Sequence, residues 1–268
     1  HLWYLVRFDK NTDLKEAMER LSGLGEISKL QINPAIQRAY NPKKKPVPVS
    51  EAALNRMRTR AAADNGFKFN DALLPHQWGY INRGVYDFAT EKAPAIVGSD
   101  VNCEEAWELC TGDPEIIVAV LDEGVMYTHE DLTANMWVNE KEQVGSDQDN
   151  DGNGYKGDRY GYNFVKDNGN ISWQAAEDTG HGTHVAGTIA AVNGNNKGVC
   201  GIAGGDGTKK GVRIMSCQVF DGDGQVRMVN EARAIKYAAD NGAVILQCSW
   251  GYNSACLLYT SPSPRDCS

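Results

Sequence analysis

The stretch Glu177 to Ala191, "EDTGHGTHVAGTIAA", sets two histidines, His181 and His184, among glycines and alanines. An imidazole in such surroundings can bind a metal, border a phosphate loop or move a proton. Zinc-protease helices place two histidines at i and i+4 with a glutamate base between them; here the pair is i, i+3 and no glutamate intervenes. A phosphate loop ends in a lysine that reaches the phosphates, and this stretch has none. General base chemistry remains. It needs a ring held rigidly, and the small residues at 182, 186, 187, 190 and 191 suit a helix packed tightly on a sheet, with Gly182 at a close helix start. "EIIVAVLD" (Glu115 to Asp122) is an apolar run closed by an aspartate. Alone, Asp122 reads equally as a plain strand-ending acid, and His181 reads more often as a structural histidine than a catalytic one; together they point to proton transfer.

A second set of residues could hold an ion. "DQDNDGNGYKGD" (Asp147 to Asp158) places acids at loop positions 1, 3, 5 and 12 and Gly152 at 6. That is calcium-loop spacing, with Asp where Glu is usual at the twelfth position. Asp147, Asp149, Asp151, Asn153 and Asp158 are the candidate ligands, against the plain reading of a polar turn.

The elements that must position these residues follow from hydrophobic period. "EIIVAVLD", "VRIMSCQVF" and "AVILQCSW" are buried-strand runs, with a helix expected over 226–241 between the last two. Buried runs alternating with helices imply a parallel sheet covered on both faces. Chemistry then gathers at the strands' carboxyl ends, where Asp122 and Ser249 fall. Before this, residues 1–68 read as a small α/β unit. Leu2, Tyr4, Val6 and Phe8 alternate as a strand; Asp13 and Glu16 have cap spacing before a helix with Leu14, Ala17, Met18 and Leu21; "EISKLQI" is a second strand. The proline- and lysine-rich "NPKKKPVPVS" is a linker by composition, followed by a helical pattern over 51–63.

Bulk properties narrow the function classes. The chain of 268 residues carries a net charge of −8, with its one basic run local, between Lys43 and Arg60, so nucleic acid is not an expected partner. No apolar stretch approaches the ~20 residues that span a bilayer. Seven cysteines without a CxxC spacing argue against zinc and leave disulfide pairing open. The chain opens on His1 and is expected to begin inside a longer reading frame or after processing.

The motifs together resemble those of the subtilisin-like serine proteases, the subtilases. "VAVLDEGVMYTHEDL" resembles the family's aspartate motif, in which Asp-Ser/Thr-Gly is commoner than Asp122-Glu123-Gly124. "GHGTHVAGTIAA" is similar to the histidine motif throughout, and "GVCGIAG" to the segment after it. "CQVFDGDGQV" resembles the substrate-binding edge strand, "LQCSWG" the strand flanking the first specificity pocket, and "NDALLPHQWGYIN" with "VNCEEAW" the opening of the mature domain. The similarity covers about residues 69 to 251.

What the resemblance implies is specific. The fold would be α/β, a parallel-sheet subtilisin-like fold incomplete at its C-terminus and preceded by a small α/β prosegment. His181 would be the general base, Asp122 the residue that orients it, and His184 a packed neighbour in the helix. An extended polypeptide substrate would lie as a strand between Gly224, Gln225 and Val226 on one side and Ser249, Trp250 and Gly251 on the other, with Trp250 lining a pocket or packing in the core. Ser249 would not be the nucleophile. Asp131 would be a ligand of structural Ca²⁺ together with the Asn193–Val199 loop, and no organic cofactor is implied. The prosegment, 1–68, would inhibit the enzyme intramolecularly, and the protein would be secreted or in the cell envelope.

Two expected parts are missing from the sequence: the Gly-Thr-Ser-x-Ala nucleophile motif and the Ala-Gly-Asn oxyanion segment. The resemblance stops near Ser254, ending a catalytic part at 69–254. "CLLYTSPSPRD" (Cys256 to Asp266), within 255–268, matches the in-frame translation of a transposon-type library adapter and is read as an artefact. The chain as given is therefore expected to be inactive. A serine endopeptidase precursor is the first reading, and a non-catalytic subtilase-like binding or structural module the second.

Overall fold

The structure is a computed structural model. It describes residues 4–33, 37–38, 52, 66–84, 96–174, 178–220 and 228–251. The substrate-side residues Gly224, Gln225 and Val226, most of the linker and the 255–268 tail lie outside the described residues.

The elements, in chain order, are α1 (Leu14–Ser22), β1 (Gln37–Arg38), α2 (Cys103–Leu109), β2 (Ile117–Asp122), β3 (Gly161–Asn163), α3 (His181–Ala190), β4 (Arg213–Gln218), α4 (Met228–Asp240), β5 (Ile245–Cys248) and β6 (Trp250–Gly251). Four strands form one sheet in the order β3-β4-β2-β5, all parallel. The three apolar runs therefore became its central and flanking strands. The register sets Asp122 opposite Gln218 and Leu121 between Cys217 and Cys248. Those two cysteines sit two strand spacings apart, about 9–10 Å, too far to bridge.

Strand β2 is buried at every position, as a strand covered on both faces must be. Its side chains alternate between two cores. Ile117, Ala119 and Leu121 join Met215, Phe164, Ala234 and Tyr237 beneath α4. Val118 and Val120 join Ile214, Ala186 and Ala190 beneath α3. Leu121 is fully buried. Leu121→Ala leaves an unfilled space beneath Asp122 and is expected to cost about 2–5 kcal/mol, read as a lowered midpoint in urea unfolding.

The small residues of the histidine helix do what their sizes suggest. Gly182, Ala186 and Ala190 form its buried stripe at four-residue spacing. A third cluster, with Phe69, Leu74, Ile81, Cys103, Trp107 and Cys200, anchors the segment before α2 to the loop after α3.

The N-terminal unit differs from its sequence pattern. Helix α1 forms where expected, with Asp13 Oδ1 accepting from the backbone N–H of Lys15 and Glu16. Among the described residues the segments around it have no strand partner: 4–8 and 26–32 carry no ladder, α1 buries no residue, and Tyr4, Val6 and Phe8 are exposed. Alternation licenses a strand only when a neighbouring strand takes its backbone groups, and among the described residues of this unit none does. The helical pattern at 51–63 lies outside the described residues, apart from residue 52. No helix among the described residues is long and apolar enough to cross a membrane.

Candidate active site

Asp122 ends β2 and His181 begins α3, so a strand's carboxyl end meets a helix's amino end. The His181 ring turns Nδ1 toward the carboxylate, 2.9 Å from both Oδ1 and Oδ2 of Asp122. The Asp122 side chain is 1% exposed and that of His181 23%. The acid is thus sealed beneath a base that solvent or a ligand can still reach. Burial pushes the Asp122 carboxyl above its ordinary range, and the hydrogen bond and charge of His181 pull it back. A carboxylate on Nδ1 selects the tautomer with hydrogen there, leaving Nε2 as the nitrogen that can take a proton.

The backbone around the pair is fixed on every side. The Asp122 carbonyl accepts from the N–H of Val219 (2.9 Å) and Phe220 (3.3 Å). The Glu123 N–H donates to Asp122 Oδ1 at 2.7 Å. Met126 N–H donates to Thr183 Oγ1 at 3.0 Å, tying the loop after β2 to the first turn of α3. Gly182 is needed by proximity: a Cβ there would lie 2.3 Å from the Glu123 carbonyl oxygen.

Glu123 is the residue whose part sequence alone leaves undefined. It departs from the commoner Ser or Thr, and its side chain is 0% exposed. Its Oε2 accepts from Thr179 N–H (2.9 Å), Thr179 Oγ1 (3.1 Å) and His181 N–H (3.3 Å). The signal in the sequence was the acid itself; its direction was not readable. His184 is exposed rather than packed, because it lies across the helix from the Gly182–Ala186–Ala190 stripe.

Ser249 lies between β5 and β6, its Oγ accepting from Gln247 Nε2 at 3.0 Å. Trp250 turns inward: its ring packs on the core under α4 and its Nε1–H donates to the Leu121 carbonyl at 3.0 Å. Strand β6 is paired antiparallel with β1, Gln37 with Gly251 and Arg38 with Trp250. Nearby, Val229 N–H donates to Asn33 Oδ1 (3.0 Å) and Gln31 Nε2 to Met228 Sδ (2.9 Å). The N-terminal unit is thereby laid on the start of α4 and along β6.

The acidic loop gathers differently from its spacing. Carboxylate oxygens of Asp149 and Asp151 and of Glu142, which the loop pattern did not include, lie within 4.8 Å of one another. Ca²⁺–oxygen distances are about 2.3–2.6 Å, so two oxygens on one ion stand at most about 4.6–5.2 Å apart; three carboxylates this close can share one ion, and the donor set fits calcium. Asp147 and Asp158 stand outside this mutual set. Asp158 is buried instead against Tyr237 Oη (2.8 Å) and Asn153 Nδ2 (2.9 Å), and burial raises its carboxyl. Asn153 Oδ1 accepts from Tyr155 N–H at 2.7 Å, a loop-closing role. Hydrogen bonds from backbone N–H groups, that of Gly154 foremost, hold Asp149 below the usual carboxylate range.

Asp131 sits beside the Asn193–Val199 loop as expected, Oδ1 accepting from Asn195 Nδ2 (2.7 Å) and Oδ2 from Val199 N–H (3.1 Å). Asp71 adds a second acid that sequence reasoning missed. Its Oδ2 accepts from Gly194 N–H at 2.7 Å, while its buried Oδ1 has no hydrogen-bond partner. Burial raises both carboxyls, and the Asp71 charge raises Asp131 further. Two desolvated acids with an orphaned oxygen between backbone loops also suit a hard cation.

A parallel α/β sheet thus carries a buried aspartate against a helix-borne imidazole, a pair able to hold and move a proton. The chain belongs to the subtilase family, whose family model matches residues 113–264, more than half of its length. Subtilisin-like protease 1 of Plasmodium vivax is 31% identical over 211 residues, 76% of this chain and 29% of that protein. The halolysin-like extracellular serine protease Nep of Natrialba magadii is 33% identical over 151 residues, 56% of this chain and 23% of that protein. Among solved structures, the serine protease of Aeromonas sobria matches with a TM-score of 0.46 at 22% identity, covering 75% of this chain and 28% of that one. The chain spans less than a third of the length of these relatives.

Proposed function

We propose that this chain is the prosegment and N-terminal catalytic part of a serine endopeptidase. In this reading residues 1–68 are the prosegment with its linker, 69–254 the catalytic part, and 255–268 an adapter-derived tail, on the strength of its sequence and against a family-model match that runs on to residue 264. His181 is the general base that takes the nucleophile's proton at Nε2 and returns it to the leaving amine. Asp122 holds the hydrogen on Nδ1 and stabilises the imidazolium. The serine and the oxyanion asparagine lie outside these residues, so the chain alone does not turn over. The observation that carries the reading is the Nδ1–carboxylate contact at 2.9 Å on a buried acid, at the carboxyl end of the central strand.

The β1–β6 pairing supports the substrate and prosegment parts of the reading. The direction of β1 runs from Gly251 back toward Cys248, whose partner Leu121 precedes Asp122. We assign the same manner of binding to an extended polypeptide substrate, with β1 of the protein's own N-terminal unit standing in for it along β6. Gly224, Gln225 and Val226 are assigned to the opposite side of the same groove, and Ser249 contributes backbone rather than a nucleophile. With an extracellular relative in view, we place the protein outside the cell or in the envelope. The test is labelling by a fluorophosphonate probe of the protein whose frame continues past Ser254. Labelling of that protein and not of the 268-residue chain supports the reading; no labelling, with an intact groove, favours the binding module.

Calcium is assigned a structural role at two places: at Glu142, Asp149 and Asp151 with Asp147, Asn153 and Asp158 around them, and at Asp131 with Asp71. Bound there, it would neutralise acids that the fold otherwise holds close at an electrostatic cost. Stripping calcium with a chelator is expected to lower Tm, with saturating Ca²⁺ at 100 Kd worth about 2.7 kcal/mol. Calorimetry with and without Ca²⁺ checks this, and Glu142→Gln should reduce the difference.

A further inference from the structure

We propose that Glu123 is a positioning residue for the Asp122–His181 pair, a buried carboxylate that caps the histidine helix from the neighbouring strand. The N-cap of helix α3 is Gly180, which has φ 76° and no side chain to satisfy the first N–H groups. A helix start without a cap leaves orphan donors and a concentration of positive partial charge. Glu123 Oε2 takes the first of these donors, the N–H of His181 itself, and braces the chain just ahead of the helix by accepting from the N–H and hydroxyl of Thr179. The same residue holds the other partner, because its own N–H donates to Asp122 Oδ1. One residue therefore fixes the acid with its backbone and the base with its side chain.

The reach explains the residue type. A Ser or Thr at 123 ends two bonds from its Cα, whereas the glutamate carboxylate extends across to 179–181. Burying a second carboxylate beside Asp122 would be costly by repulsion. Each acid is given its own counterpart instead: the imidazole for Asp122, the helix start for Glu123. Gly182, seated on the Glu123 carbonyl, completes the clamp.

The inference rests on Asp122 and His181 acting as a pair, so its test reads their hydrogen bond rather than turnover. In ¹⁵N-histidine-labelled 268-residue chain, the His181 Nδ1–H should give a low-field proton resonance, assigned by its loss in His181→Gln. Glu123→Ala should speed its exchange with water by about 10- to 100-fold, as expected on losing a charge-assisted hydrogen bond. Glu123→Gln, which keeps an acceptor oxygen, should restore slow exchange. An unchanged resonance in Glu123→Ala overturns the proposal, and so does equal loss in both variants. If Glu123→Ala does not fold, the wild-type His181 amide decides: slow hydrogen exchange supports the cap, and solvent-like exchange overturns it. Failure of the peptidase reading would appear separately, as no serine labelling with this resonance intact.

Discussion

His181→Ala, made in the protein that carries the nucleophile, is expected to drop kcat by about 10⁶-fold with KM nearly unchanged, because loss of the base in an Asp-His-Ser triad costs about as much as loss of the whole triad. Asp122→Asn is expected to cost less, about 10⁴-fold. The difference follows from the geometry. The imidazole faces both Asp122 oxygens through Nδ1 at 2.9 Å. An asparagine amide in that place can donate to Nδ1, which moves the ring hydrogen to Nε2, where a base must be empty. The ring stays in position but in the wrong tautomer. Neither variant alters β6, so the peptide binding proposed there is expected to be retained. Steady-state kinetics on a chromogenic peptide amide check both variants. Equal activity of Asp122→Asn and wild type would remove the orienting role from this pair.

How much of this was legible in the sequence depends on the range of the interaction. The central strands were legible because β2 is covered on both faces and needs a continuous apolar run. The histidine helix was legible because close packing demands small residues at fixed spacing, and 182, 186 and 190 are the buried ones. The pairing of Asp122 with His181 came from motif resemblance; neither residue's local sequence says that the other is near. Glu123, Asp71 and Glu142 show the limit. Each is an acid whose partner lies outside its own element: Thr179 and Gly194 far along the chain for the first two, and Asn150 and Gly157 across the acidic loop for Glu142. Side-chain direction at such residues is decided by tertiary packing, which leaves no periodic trace. Tyr4, Val6 and Phe8 show the converse, a period-two pattern with no ladder to receive it among the described residues.

Gly182→Ala is expected to damage activity and stability together, and to do so by geometry alone. The added Cβ would stand 2.3 Å from the Glu123 carbonyl oxygen and 3.0 Å from its carbon. These are backbone atoms, held from below by the Glu123–Asp122 contact and the ladder of β2, so no flexible side chain can yield. The helix must withdraw from the strand instead. Withdrawal stretches the His181 N–H to Glu123 contact, already 3.3 Å, and carries the ring away from Asp122. A displacement of about 1 Å in catalytic geometry costs on the order of 10²-fold in rate, and overpacking costs about 1–3 kcal/mol. The two effects separate in measurement: urea unfolding reads the second, kcat the first. Gly187→Ala is the control, since a Cβ there meets nothing within 4 Å in the same helix. It should leave kcat unchanged and, by replacing glycine in a helix interior, raise stability by about 1 kcal/mol. A wild-type kcat in Gly182→Ala would mean that the helix start and the catalytic pair are not mechanically coupled, and the role assigned to Glu123 would fall with it.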